Sequence, residues 1–185
     1  MKRLTIITGN LAKLKEIVDI IGDNVPFEII HQNIDLPEYQ GDIDFIVSEK
    51  CKAAAKIVDG PVLVEDTSLC IDCLNGLPGP YVKWFLETIG SIGLYRMVKD
   101  WKDKSATAIC SVAFCEGPQC DVQVFKGTLR GKIIEPRGNG FGFPCFLPDG
   151  FEKTLAEMDD QERNQISHRF KCLNEFRLFL LQLGG

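Results

Sequence analysis

The sequence predicts an α/β fold, and three stretches carry that expectation. Residues 4–8 form a short β-branched run that Gly9-Asn10 breaks. Leu11, Leu14, Ile17, Val18 and Ile21 then recur at helical spacing, giving strand, tight turn and helix. Residues 62–64 are an apolar run set off by Gly60-Pro61, the pattern of a strand buried on both faces. Residues 105–116 and 120–131 are rich in Val, Ile, Phe and Thr around a Gly117-Pro118 turn, which signals a hairpin.

The remaining elements follow in order. Residues 27–30 read as a second strand, and 36–41 (Leu-Pro-Glu-Tyr-Gln-Gly) as a loop with one acid beside one aromatic. Residues 42–58 read as a helix supported by Ala53 to Ala55, with Lys50 by default a solvated surface residue. Gly76, Pro78, Gly79 and Pro80 make a stiff turn, and a short helix is expected over 89–98. Residues 137–144 are expected to be a mobile, glycine-rich loop carrying Phe141 and Phe143, which can stack a planar base or plug the loop onto the core. From Asp159 one long helix is expected, with Ile166, Phe170, Leu173, Phe176, Leu180 and Leu183 on or near one face and Arg163, Ser167, His168 and Arg169 in its first half.

At 185 residues the chain is expected to form a single domain over 1–185, long enough to bury a full core. The net charge of −5 argues against a nucleic-acid polymer as partner, although a few cations can still converge on a small anion. Gly9, Asn10, Lys13 and Lys15 interrupt the first apolar run too early for a signal peptide, and nothing approaches a membrane span. The expected location is the cytoplasm. Eight dispersed cysteines read as reduced thiols, since Cys70-x-x-Cys73 has no second pair at zinc-ligand spacing.

Chemistry is suggested at the end of the 62–64 run, where Glu65 and Asp66 follow directly. Ligands of open α/β sheets sit beyond the carboxyl ends of strands. Acids placed there serve metal binding or general-base work, or they cap the next element as solvated acids. Asn10 likewise reads as an N-cap. The other reading has the turn's N–H groups and the helix N-terminus holding phosphate, with Lys13 adding charge. Neither the P-loop nor the dinucleotide fingerprint is present.

Five motifs occur in order: Thr8-Gly9-Asn10-x-x-Lys13, Leu36-Pro37-Glu38-Tyr39-Gln40-Gly41, Val64-Glu65-Asp66-Thr67, Gly76-Leu77-Pro78-Gly79-Pro80-Tyr81-Val82-Lys83 and Ser167-His168-Arg169. Over essentially its whole length the chain resembles the inosine triphosphate pyrophosphatases, and is most similar to their eukaryotic members. The resemblance implies an elongated, strongly twisted mixed sheet with two lobes flanking a nucleotide-binding cleft, usually as a homodimer. It implies hydrolysis of ITP, dITP and XTP to monophosphate and pyrophosphate with Mg²⁺, for which Mn²⁺ can substitute. It places Thr8, Gly9, Asn10, Lys13 and Lys50 around the triphosphate and Glu38 and Asp66 on the metal. It makes Asp66, with Glu65 beside it, the catalytic carboxylate. Thr67, Lys83, Phe141, Gly142, Phe143, Arg163, Ser167, His168 and Arg169 would contact the nucleotide, Phe143 by stacking on the base.

Two departures from the family pattern stand out. Arg163 replaces the usual Lys, and Phe143-Pro144 lacks the Asp that normally lies between the aromatic and the proline. The shorter loop leads us to expect weaker base discrimination rather than lost chemistry. Two other classes fit parts of the sequence: a nucleotide-binding protein without turnover, and a phosphatase that releases orthophosphate.

Overall fold

The computed structural model describes residues 2–184. Strand β1 (Lys2–Ile7) leads through Thr8-Gly9-Asn10 into helix α1 (Leu11–Ile21), which returns to β2 (Phe27–Gln32), parallel to β1. Helix α2 (Ile43–Val58) then delivers β3 (Val62–Ile71) to the opposite side of β1, again parallel. The register sets Thr5 against Val62 and Ile7 against Val64. The Thr8-Gly9-Asn10 turn, at the carboxyl end of β1, therefore lies beside Glu65-Asp66, which sit midway along β3. The connections from β1 and β3 leave toward opposite sides, which is where an open sheet leaves room for a ligand.

Further along come β4 (Pro78–Gly79), α3 (Val82–Val98), β5 (Ser105–Cys115), β6 (Gln123–Ile133) and β7 (Phe146–Pro148). The strands form one open mixed sheet in the order β2-β1-β3-β5-β6-β7, with β4 added antiparallel to β3. Helices α4 (Asp160–Ile166) and α5 (His168–Leu183) end the chain. The α/β class and the strand–turn–helix opening are as expected.

Three element boundaries differ from the sequence expectation. Strand β3 does not stop at the two acids, because Leu69 and Cys70 find partners in Gly79 and Pro78 and extend it to Ile71. The helix expected over 89–98 begins at Val82 and is interrupted at Gly90, whose φ of 68° is readily adopted only by glycine. The single tail helix is two. Asp159 and Glu162 form a capping box that starts α4, and Ser167, extended at φ −63° and ψ 151°, separates it from α5.

The chain divides into two compact units, each with its own core. The first comprises residues 1–66, 111–126 and 170–185. It buries Val47, Cys51, Ala54 and Ala55 of α2 against Ile7, Val62 and Val64. A ring cluster adds Phe27, Phe114, Phe125, Phe176 and Phe179, with neighbouring centroids 5.2–6.2 Å apart. The second unit comprises 67–110 and 127–169 and buries Leu69, Ile71, Val82, Leu94, Leu129, Phe143 and Phe146. Strands β3, β5 and β6 contribute residues to both units.

All eight cysteines are free thiols, five of them buried, and burial pushes Cys51 up to about 12 with Cys115 adding to the shift. No helix among the described residues is long and apolar enough to cross a membrane.

The β6–β7 pairing offers a test of this packing. Gly131 faces Pro148, and a Cβ at that position would collide with the Leu147 carbonyl and the Phe146 ring. Gly131→Ala should destabilise the protein by about 1–3 kcal/mol, the usual range for overpacking. Urea denaturation should show a lower midpoint with an unchanged slope. A wild-type midpoint would mean that β7 does not press on β6 as described.

Candidate active site

In the first unit the site begins with a helix cap. Asn10 Oδ1 accepts from the Lys13 backbone N–H at 3.0 Å, and Thr8 Oγ1 accepts from the Asn10 N–H at 3.1 Å. The N-cap reading of Asn10 is thus correct, and the cap also fixes a helix N-terminus with Lys13 in its first turn. Two residues that the motifs did not flag brace this turn. His31 Nε2 lies 2.7 Å from the Thr8 carbonyl oxygen, and Asn33 Oδ1 would sit 2.9 Å from a Cβ at Gly9. Parallel pairing of β2 with β1 brings them there, and no local sequence signal announces it.

Glu65 and Asp66 are consecutive in β3, so their side chains leave on opposite faces. The Glu65 side chain is only 2% exposed, and its Oε2 lies 2.8 Å from Lys13 Nζ. Asp66 Oδ2 lies 3.3 Å from Lys50 Nζ, and that same ammonium is 2.8 Å from Glu38 Oε2. Lys50 is therefore not the solvated residue its helix position suggested, since its side chain is 15% exposed. Glu38 arrives on a loop held to α2 by an edge-on contact of Tyr39 with Phe45, centroids 6.5 Å apart.

Burial pushes the Asp66 carboxyl up; Lys50 and Lys13 pull it back, Glu65 raises it again, and the balance lies above the usual carboxylate range. Burial pulls Lys50 down, but Asp66 and Glu38 outweigh it and hold the ammonium above its ordinary value. Lys50 is thus charged at neutral pH. Three carboxylates and two ammoniums make up this cluster.

The donor set suits one class of metal. Among the described residues no three His, Cys, Asp or Glu side chains are grouped so as to cage an ion. Mg²⁺ does not require a cage: it keeps several waters and is usually held by one or two carboxylates together with substrate phosphates. Glu38 and Asp66, converging on one ammonium, are such a pair.

The other predicted contacts lie in the second unit, beginning at Thr67, the residue after Asp66. Arg169 Nη2 donates to Thr67 Oγ1 at 2.9 Å. Arg163 and Arg169 both lie over the Phe141 ring, 5.5 and 5.2 Å from its centroid. Arg163 is anchored by the Asp160 carboxylate at 2.6 Å and the Met158 carbonyl at 3.3 Å. Phe143 is buried, and one face of its ring lies nearly parallel to His168, with centroids 6.2 Å apart. Ser167, His168 and Arg169 are all buried.

Gly142 lies between the two phenylalanines on a loop that is tied down rather than loose. Gly140 N–H donates to the Ala156 carbonyl at 3.0 Å, and the Thr154 hydroxyl donates to the Arg137 carbonyl at 2.8 Å. Lys83 is exposed in the first turn of α3, its ammonium 5.1 Å from the Trp84 ring centroid.

Known proteins share the family pattern and the fold. The model of the Ham1 family matches residues 4–179. The structure of a Ham1 protein from Coxiella burnetii is similar at a TM-score of 0.89 and 28% identity, covering 98% of this chain and 100% of that one. The Staphylococcus aureus Ham1 protein gives 0.82 at 28% identity, with 96% and 98% covered. A nucleoside-triphosphatase / dITP/XTP pyrophosphatase from Mycobacterium abscessus gives 0.73 at 23% identity, with 94% and 98% covered, a likeness of fold alone.

The Glu65–Lys13 pair can be tested by itself. Glu65→Gln removes the charge facing Lys13, whose side chain is 22% exposed and can turn toward water. The loss of stability should therefore be about 2 kcal/mol, below the 3–5 kcal/mol typical of a fully buried pair. Chemical denaturation of the variant measures it. No loss would show that Lys13 is not held by Glu65.

Proposed function

The chain belongs to the Ham1 family, and from that premise we propose that it hydrolyses the non-standard purine nucleoside triphosphates ITP, dITP and XTP to monophosphate and pyrophosphate. The observation that carries the reading is the pairing of two consecutive acids of β3 with lysines from two different helices, beside a capped helix N-terminus. Such a cluster receives a polyanion and activates a water next to it.

In this proposal the Thr8-Gly9-Asn10 turn and the N-terminus of α1, with the ammoniums of Lys13 and Lys50, hold the phosphates; the Thr8 and Asn10 N–H groups themselves donate to the Gln32 carbonyl and to Thr8 Oγ1 and shape the turn. Glu65 acts through Lys13, keeping its ammonium aimed at the turn. Asp66 orients the water for in-line attack at the α phosphorus, and its raised proton affinity suits a base. Glu38 and Asp66 would hold Mg²⁺, or Mn²⁺ in its place, which supplies positive charge to the departing pyrophosphate. The site residues alone carry more acids than bases, so the incoming ion also corrects a charge balance unfavourable to a triphosphate.

Thr67, Lys83, Phe141, Gly142, Phe143, Arg163, Ser167, His168 and Arg169 contact the rest of the nucleotide. Phe141, half-buried with Arg163 and Arg169 over its ring, is the less buried of the two aromatics and the one assigned to the base, in place of Phe143, which is buried and braces His168. His168 and Arg169 donate to the oxygen at C6 of hypoxanthine or xanthine, whereas adenine would meet them with a donor of its own. Leaving such buried donors unpaired gives large discrimination factors. With no Asp between Phe143 and Pro144, base preference rests on these donors and is weaker than in relatives that keep it.

The whole chain works as one pyrophosphohydrolase domain in the cytoplasm. It acts as a homodimer, for which α3 and the residue just beyond it offer exposed Trp84, Ile89, Ile92, Met97 and Trp101.

Product analysis with Mg²⁺ and ITP, XTP, GTP or ATP tests the proposal. Pyrophosphate and monophosphate should form fastest from ITP and XTP. Orthophosphate would make the protein a phosphatase, and no turnover would make it a binder. Asp66→Asn should lower kcat by about 10²- to 10⁴-fold while nucleotide binding persists. A variant with wild-type kcat would remove Asp66 from the chemistry.

A further inference from the structure

Lys50 occupies the oxygens that a divalent cation would need. Its Nζ lies 2.8 Å from Glu38 Oε2 and 3.3 Å from Asp66 Oδ2, and all three side chains belong to the same unit. We infer that the Lys50 ammonium is the resident counter-ion of the free enzyme, and that it must leave Glu38 and Asp66 before a divalent cation is held there. The inference rests on the metal role proposed for these two acids.

The physical grounds are those of competition. An ammonium donates to carboxylate lone pairs, and a metal ion takes the same lone pairs, so one set of oxygens does not serve both at full strength. Among the described residues no third His, Cys, Asp or Glu is grouped with the two carboxylates; a pair alone makes a weak metal site, and a cation already bound between them weakens it further. Lys13 does not play this part, because its ammonium is matched with Glu65, which leaves β3 on the other face.

Lys50 can yield without disturbing α2. Its charge sits at the end of a flexible four-carbon stem, so the head can move while the backbone stays in the helix. Stranding that ammonium in a half-buried place is unfavourable unless another anion receives it. A triphosphate is such an anion. The device thus ties metal capture to arrival of the nucleotide and keeps the two acids from repelling each other in the meantime.

The test is Mn²⁺ binding to the full-length protein without nucleotide, followed by electron paramagnetic resonance. Lys50→Met should bind Mn²⁺ about tenfold or more tightly than wild type, because a competing unit charge has left the site. Lys50→Arg, which keeps the charge, should stay near wild type. The gain should vanish in Lys50→Met/Glu38→Gln. Circular dichroism checks folding of each variant, and Lys50→Gln replaces Lys50→Met should the latter not fold. Equal or weaker binding in the neutral variant overturns the exchange while leaving the metal site standing. A gain that survives loss of Glu38 puts the ion elsewhere and overturns both.

Discussion

The two-residue period of a β-strand is the constraint on which the site depends. Glu65 and Asp66 are neighbours in β3, so each must leave on its own face, and each meets a lysine from a different helix. Lys13 comes from the first turn of α1 and Lys50 from the middle of α2. Had the strand ended before them, as the apolar run suggested, the acids would have lain on an irregular turn with no fixed division of partners. Because β3 runs on past them to Ile71, both acids keep strand geometry. A one-residue slip of β3 against β1 would exchange the faces and separate both pairs.

That arrangement reconciles a net charge of −5 with a polyanionic substrate. The acidity is general, but the lysines are local and their charge is secured. Acids above and below hold the two ammoniums in place, and the Asn10 cap fixes the N-terminus of α1. The second unit applies the same economy to its arginines: Arg163 is fastened by Asp160 and Arg169 by Thr67, and both lie over Phe141. Rigid cations of this kind favour recognition of planar, oxygen-bearing groups.

What was legible in the sequence was what is local. The strand–turn–helix at the start, the helix through Ala53 to Ala55 and the hairpin around Gly117-Pro118 each carry their own periodicity or turn residues. The helix break at Ser167 carried no Gly or Pro, so one helix was the natural reading, although Asp159 and Glu162 did mark the start of α4. Gly90 was a visible breaker, and the first half of α3 was missed because Trp84 and Ile89 are exposed and blur its apolar stripe. Lys50 looked solvated because its partners are distant in sequence, Asp66 by sixteen residues, and only the crossover from α2 to β3 joins them. His31 and Asn33 were invisible for the same reason. Motifs in register pointed to these residues; pairing between strands determined what they touch.

In the proposed reaction water, oriented by Asp66, attacks the α phosphorus. The most direct measurement is turnover of ITP with Mg²⁺ in ¹⁸O-labelled water, followed by mass analysis of both products. The claim requires one ¹⁸O in the inosine monophosphate and none in the pyrophosphate. Label in the pyrophosphate, or in released orthophosphate, would place the attack at another phosphorus and contradict the assignment of Asp66 and its lysine-bound neighbours to this reaction.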